Sequence, residues 1–406
     1  MKRRNVIVDS APPQNRCLEA ICSYLVERLE TRTLLSSSLE TLARFGTNAV
    51  GVQPWPGFAV DASGNLYGTA AAGGTSGYGA VFEIPHGTST IVPVASFNGG
   101  NGIAPTGNLV MDAKGDLFGM TVSNLNAQSY LDQSTVFEVA KGTNTITTVG
   151  LIGLNSAQNG GMLALDAEGD LYGVGVGNGM VFEIPRGSST VDDLAIAQGV
   201  VTGIVVDGNG DVFGTTEQGG ANGYGSIFEV AHGSSTANVI FSFGNSTGFY
   251  PEGLVSDGAG TLFGTIGLAG TGSAVYRINE DGSGFTTLAS FSTPDAAGLF
   301  GALLSARDGA GNLYGVIYAT SGQYPAPQSI FELPVGATSI TSLATFDAGV
   351  NSPSGSEPLT VDSEGNLYGA IFRAGSNRDP GAVFELALWK LDYRVSVLPQ
   401  CQRDRS

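Results

Sequence analysis

Any chemistry in this sequence has to come from carboxylates. Asp and Glu together number 36 and Lys and Arg 18 in 406 residues, with only two histidines and three cysteines. Seven aspartates share one setting, D-x-x-G-[NDT]-[LV]-[YF]-G: Asp61, Asp112, Asp166, Asp207, Asp257, Asp308 and Asp362. A calcium loop also opens on Asp, but its twelfth-place Glu and alternating ligands are missing here. In a four-residue turn the leading Asp accepts backbone N–H groups, and Gly at the fourth place tolerates positive φ. These aspartates therefore read as structural turn residues, and no metal is expected. A second recurring acid follows an aromatic, at Glu83, Glu138, Glu183, Glu229, Glu332 and Glu385. Arg277 takes that place in the fifth unit, which argues against a ring of identical ligands. His86 and His232 each precede a Gly in a turn where other units have Lys141 and Arg186. That leaves no histidine for a Ser-His-Asp triad or a His-based metal site. Carboxylate pairs for glycoside chemistry abound, but no pair stands apart from the repeat. The Gly73-Gly74 and Gly219-Gly220 stretches lack the Lys and helix of a phosphate loop. No cofactor is expected.

The elements that position these residues come from the repeat. The seven aspartates are spaced 41 to 54 residues apart. Each copy is followed by a short [VI]-[FY]-[ER]-[IVL] segment, whose aromatics are Phe82, Phe137, Phe182, Phe228, Tyr276, Phe331 and Phe384. Most units end on Phe: Phe97, Phe243, Phe291 and Phe346. The units from Asp112 and Asp166 are degenerate there. Each unit reads as four short strands with tight turns between the first and second and between the third and fourth. Seven such units predict an all-β, seven-bladed β-propeller of four-stranded blades. The aromatic-Gly pair closing the second strand (Tyr67-Gly68, Tyr172-Gly173 and their five counterparts) predicts rings between blades and glycines that let the next sheet approach.

The seventh unit stops after Phe384-Glu-Leu386, without its last strand. Leu42-Ala-Arg-Phe45 resembles Leu288-Ala-Ser-Phe291 and Leu343-Ala-Thr-Phe346. The N-terminal strand is therefore expected to close the last blade, which removes two free sheet edges. The organisation follows: residues 1–38 an N-terminal segment with a short helix, 39–387 the propeller, 388–406 a tail. The helix is read from Leu18, Ile21, Cys22, Leu25 and Leu29, at steps of three and four.

Between residues 46 and 387 there are seven basic and 29 acidic side chains, a net −22 within the chain's total of −18. Such a body repels phosphate backbones, so nucleic acid is not expected as a partner. Cys17, Cys22 and Cys401 all lie outside it, which excludes a disulfide framework there. No run of eighteen apolar residues is present, so no membrane span is expected.

Asp61-Ala-Ser-Gly-Asn-Leu-Tyr-Gly68 followed by Gly79-Ala-Val-Phe-Glu-Ile84 resembles the GloVer tandem-repeat family of bacterial exported and surface-associated proteins. The resemblance spans about residues 42–387. Leu29-Glu-Thr-Arg-Thr-Leu-Leu35 is similar to the LEPR-XLL segment of large bacterial surface proteins, with Thr31 in place of its Pro. The resemblance implies an extracellular or cell-surface location, and it brings no catalytic residues. Residues 388–406 show no sorting anchor.

The expected function is a non-catalytic binding or scaffold module, a monomer with a glycan or protein partner. The alternatives are a lyase or hydrolase using carboxylates or a metal at the central channel, and a structural envelope component. The two tight turns of each unit share one face and are uniform. The other loops vary, and variable loops on a rigid scaffold are where binding concentrates. They present Trp55, Tyr78, Tyr130, Tyr224, Phe249, Tyr250 and Tyr324, which are the expected ligand contacts.

Overall fold

The computed structural model describes residues 39–46, 50–123, 133–153, 161–175, 179–268, 272–291, 300–319, 328–346, 358–371 and 380–388. All belong to one unit, Ser38–Ser406. The expected N-terminal helix, the Leu29–Leu35 segment, Tyr130 and Tyr324 lie outside the described residues.

The described strands form seven antiparallel sheets of four. Six sheets take their strands, A to D, in chain order. Blade 1 consists of Val52–Val60, Leu66–Ala72, Ala80–Ile84 and Val92–Ser96. Blade 5 consists of Phe249–Ser256, Thr261–Gly267, Ser273–Asn279 and Thr286–Phe291. The A strands touch one another in succession around the ring, so they form its innermost layer. Side chains stitch that layer. Thr360 Oγ1 donates to the Phe58 carbonyl at 3.0 Å, Asn108 Nδ2 to that of Leu163 at 2.9 Å and Thr202 Oγ1 to that of Pro251 at 2.7 Å.

The seventh blade is closed by the N-terminal strand, as expected. Leu39–Arg44 pairs antiparallel with Ala382–Leu386. Its register carries a decisive mark. Every D strand is bulged opposite the aromatic of strand C, where the register steps past one large apolar residue: Val94, Val149, Leu194, Ile240, Leu288 and Leu343. Leu39–Arg44 bulges at the same place, at Leu42. A bulge also twists an outer strand away from edge-to-edge pairing with another molecule.

The core lies between blades. The residue three places after the bulge in strand D packs on the strand-C aromatic of the next blade. Phe45 meets Phe82, and Phe97 meets Phe137, with ring centroids 5.0 Å apart in both pairs. Phe243 meets Tyr276 and Phe346 meets Phe384 at 5.4 Å. In the two degenerate units Ile152 and Ala197 occupy this place and are buried. The strand-B aromatics pack against the following blade, as expected: Tyr172 joins Val212 and Phe228, and Tyr314 joins Leu367 and Phe384.

The expected role of the glycine after that aromatic is corrected. Gly68 pairs with Phe82 within one blade, and a Cβ on Gly68 would come within 2.5 Å of the Phe82 ring. Gly119 stands in the same relation to Phe137, also at 2.5 Å. The glycine makes room for the ring of its own blade's strand C, not for the next sheet. Its φ is not positive, so the requirement is space.

Candidate functional site

One face carries the A–B and C–D turns. Asp61 Oδ1 accepts from the Ser63 and Asn65 amides, each at 2.9 Å, and Oδ2 from Asn65 Nδ2 at 2.9 Å. Tyr314 and Tyr368 donate their hydroxyls to the turn carboxylates of Asp308 and Asp362 at 3.0 Å. Burial raises the Asp61 carboxyl, but these hydrogen bonds outweigh it and hold the group below its usual range. The fifth residue of the repeat joins the two turns. Asn65 Oδ1 accepts from the His86 amide at 3.0 Å, Asp116 from Lys141 at 2.7 Å, Asp170 from Arg186 at 2.6 Å and Asp211 from His232 at 2.7 Å. The repeated acids of this face are thus occupied in building turns. His86 and His232 are exposed on it. A cleft of about 360 Å³ opens here between blades 1 and 2, lined by Tyr67, Val94, Met111, Leu117 and Lys141.

The opposite face carries the B–C and D–A loops, and here the blades differ. Gln53, Ala104 and Tyr250 precede Pro54, Pro105 and Pro251 and have φ of +62°, +50° and +52°. Such backbone is strained for a residue with a Cβ. Each is held by its amide, which donates to a carbonyl of the preceding blade: Pro380 at 2.7 Å, Tyr78 at 2.9 Å and Tyr224 at 3.0 Å. This turns Tyr250 outward, and it is 46% exposed.

Three of the expected aromatics meet at the blade 4–5 junction. Tyr224 and Phe249 have centroids 6.4 Å apart, and Phe249 and Tyr250 make an edge contact at 5.4 Å. Trp55 and Tyr78 do not join them. Trp55 is half-buried in strand A of blade 1, paired with Thr69. Tyr78 packs on the core between blades 1 and 2.

Sequence reasoning missed the ionisable group beside the aromatic cluster. Glu252 pairs with Thr265, the register position that holds Trp55 in blade 1 and Thr106 in blade 2. Its carboxylate accepts from the Tyr318 hydroxyl of blade 6. Burial, and beyond it the charge of Glu217 from blade 4, pushes the Glu252 carboxyl up to about 7, although the Tyr318 hydrogen bond opposes this. The legible signal was an acid at a place that is neutral in blades 1 and 2. Blade 5 departs from the repeat elsewhere too. Tyr276 replaces Phe, with a fully buried hydroxyl that has no hydrogen-bond partner among the described residues, and Arg277 replaces Glu.

The model of the Gloeobacter/Verrucomicrobia repeat matches residues 33–199 and 200–398. The chain belongs to this repeat family. The boundary between the family's two matches falls between blades 3 and 4. No curated protein sequence matches the chain. Solved propellers share its fold at low identity. A catalytically inactive virginiamycin B lyase from Staphylococcus aureus is 12% identical with a TM-score of 0.57, over 86% of this chain and 99% of that one. A streptogramin B lyase is 12% identical with a TM-score of 0.55, over 86% and 97%. An extracellular domain assigned to a hybrid two-component system of B. thetaiotaomicron is 14% identical with a TM-score of 0.52, over 86% of this chain and 41% of that one. These likenesses establish the fold of the family member and nothing about its reaction.

Proposed function

We propose that this family member is an exported, non-catalytic binding module whose ligand lies on the B–C and D–A loop face, over blades 4 to 6. The observation that carries the reading is the concentration of non-repeated groups there. Phe249, Tyr250 and Glu252, beside Tyr224, break a pattern that the turns of the other face keep in all seven blades. Rings with one exposed edge beside Asn and Ser suit a sugar. Export is supported by the GloVer resemblance and by the extracellular domains that share the fold.

The test is a glycan array and cell-wall retention assay on the full chain. Tyr250→Ala and Tyr224→Ala are expected to lose retention, while Lys141→Ala and Arg186→Ala on the other face keep it. The reverse pattern places the ligand on the turn face. A second reading, a lyase or hydrolase, is favoured by one observation: a carboxyl raised to about 7 is suited to proton transfer near neutral pH. Turnover of a bound glycan that disappears in Glu252→Gln would establish it.

A further inference from the structure

We propose that Phe249 and Tyr250, flanked by Tyr224, form a stacking platform for a glycan that carries no acidic group. This rests on the loop face being the ligand surface.

Three blade junctions share one scaffold on that face and serve as controls for one another. At blades 7–1, 1–2 and 4–5 a left-handed glycine stands at the end of the B–C loop: Gly381, Gly79 and Gly225. Its carbonyl accepts from the amide of Phe45 at 3.1 Å, Phe97 at 3.0 Å and Phe243 at 3.0 Å. The carbonyl one residue earlier holds the amide of Gln53, Ala104 or Tyr250. The bonds are the same whether strand A opens on Val52-Gln53, Ile103-Ala104 or Phe249-Tyr250. The backbone therefore does not require the two rings of blade 5.

Blade 5 is nevertheless built to carry them. The residue opposite the first of the pair is Ala72 in blade 1, Ser123 in blade 2 and Gly267 in blade 5. A Cβ on Gly267 would lie 3.0 Å from the Phe249 ring, so the glycine gives that ring its place. Tyr250 is the bulkiest of the three left-handed residues, and bulky side chains tolerate this backbone least. Its ring gains little burial in return, since it is 46% exposed. Strain and an exposed ring, neither needed by the scaffold, mark a contact kept for a ligand. Tyr224 of blade 4 stands 6.4 Å from Phe249 and extends the surface across the blade boundary.

The surroundings select the ligand. Residues 187–276, which include all of blade 4 and the first two strands of blade 5, hold eight acidic side chains and no Lys or Arg. An acidic sugar would find no counter-charge there and would be repelled. A sugar ring with equatorial hydroxyls has a flat C–H face that lies on an aromatic ring and directs its hydroxyls sideways. Asn245 and Ser246, exposed in the loop leading into Phe249, can bond those hydroxyls. A proline-rich helix docks instead in an aromatic-lined groove. Phe249 and Tyr250 meet edge to face at 5.4 Å and leave no groove between them.

The experiment titrates the full chain with a β-1,4-linked glucose hexamer, its glucuronate counterpart and a proline decapeptide. The glucose hexamer is expected to bind at least about tenfold tighter than either of the others. Its affinity should be the same at about 0.05 M and about 0.5 M salt, because no charge pairs with it. Tyr250→Asn places a residue at ease in left-handed backbone. It is expected to melt no lower than the parent and to lose about tenfold in affinity. The double variant Phe249→Val, Tyr250→Gln gives blade 5 the pair of blade 1 and is expected to lose the same affinity or more. Unchanged affinity in both variants overturns the platform. So does a loss that comes with a lower melting temperature in both, which makes the rings structural. Equal or tighter binding of the glucuronate hexamer overturns the choice of an uncharged sugar and leaves the loop-face reading standing. Tighter binding of the proline peptide overturns the glycan. Binding of none of the three overturns the proposal, and the fate of the loop-face reading then rests on the Tyr250→Ala retention assay.

Discussion

At the scale of single residues, a repeated position and an unrepeated one have different physics. The turn aspartate is repeated because its Oδ1 accepts the amide four residues on in each blade. Removing it leaves those donors without their acceptor and, in four blades, takes away a carboxylate that accepts from a tyrosine hydroxyl. Asp308→Ala is therefore expected to cost about 1–3 kcal/mol in chemical denaturation, since Tyr314 is almost fully buried. Gly173 is repeated because the Phe182 ring lies where its Cβ would be. Gly173→Ala should cost about 1–3 kcal/mol by overpacking, and a loss under 0.5 kcal/mol would contradict the close approach. Glu252 is not repeated. Its folded-state carboxyl is raised to about 7 from 4.5, so the native state holds its proton more tightly than the unfolded chain. That contribution is fully present below about 4.5 and is lost as the pH rises through about 7. Glu252→Gln should raise the melting temperature at about pH 8 and leave it unchanged at about pH 4.

At the scale of elements, the N-terminal strand is held from two sides. Leu39–Arg44 pairs with blade 7, while Phe45 packs on Phe82 of blade 1. A chain beginning at Gly46 loses both, and its melting temperature should fall by several degrees, with one transition. Phe45→Ala alone should cost about 3–5 kcal/mol, as for other buried Phe residues. If neither change is felt, the closure does not stabilise the ring. The same ring-on-ring contact explains the degenerate units. Ile152 fills the site with fewer atoms, and Ala197 has Tyr172, Val201 and Val212 around it.

At the scale of the whole molecule, the acids of the turn face govern the response to pH. Glu138, Glu183 and Glu229 are raised by burial first and by neighbouring Asp116, Asp170 and Asp211 next. Their contribution to stability is present below the usual glutamate value and lost as the pH rises through their raised values. Asp61 and Asp257 are lowered, and what they contribute is lost in stronger acid. The melting temperature should therefore be higher at about pH 5 than at about pH 7.5, and salt should narrow the difference. A protein most stable at neutral pH in low salt would contradict this. Millimolar calcium should not shift the melting temperature, because the turn carboxylates already accept amide and side-chain donors.

The sequence by itself determined the ring. Seven Asp turns, seven strand-C aromatics and the likeness of Leu42–Phe45 to the other blade ends encode local geometry and its repetition, and both are one-dimensional signals. It also identified Tyr224, Phe249 and Tyr250 as rings that no turn requires. What only the tertiary structure decided is which unrepeated residues meet. Glu252 and Tyr318 lie in successive blades, 66 positions apart, and no local pattern joins them. The role of Gly68 was settled in the same way, since a glycine needed for space and one needed for positive φ look alike until the neighbouring ring is in place. Repetition is written along the chain, whereas a contact such as Tyr318 with Glu252 is made across blades, where burial and the neighbouring side chain set the chemistry.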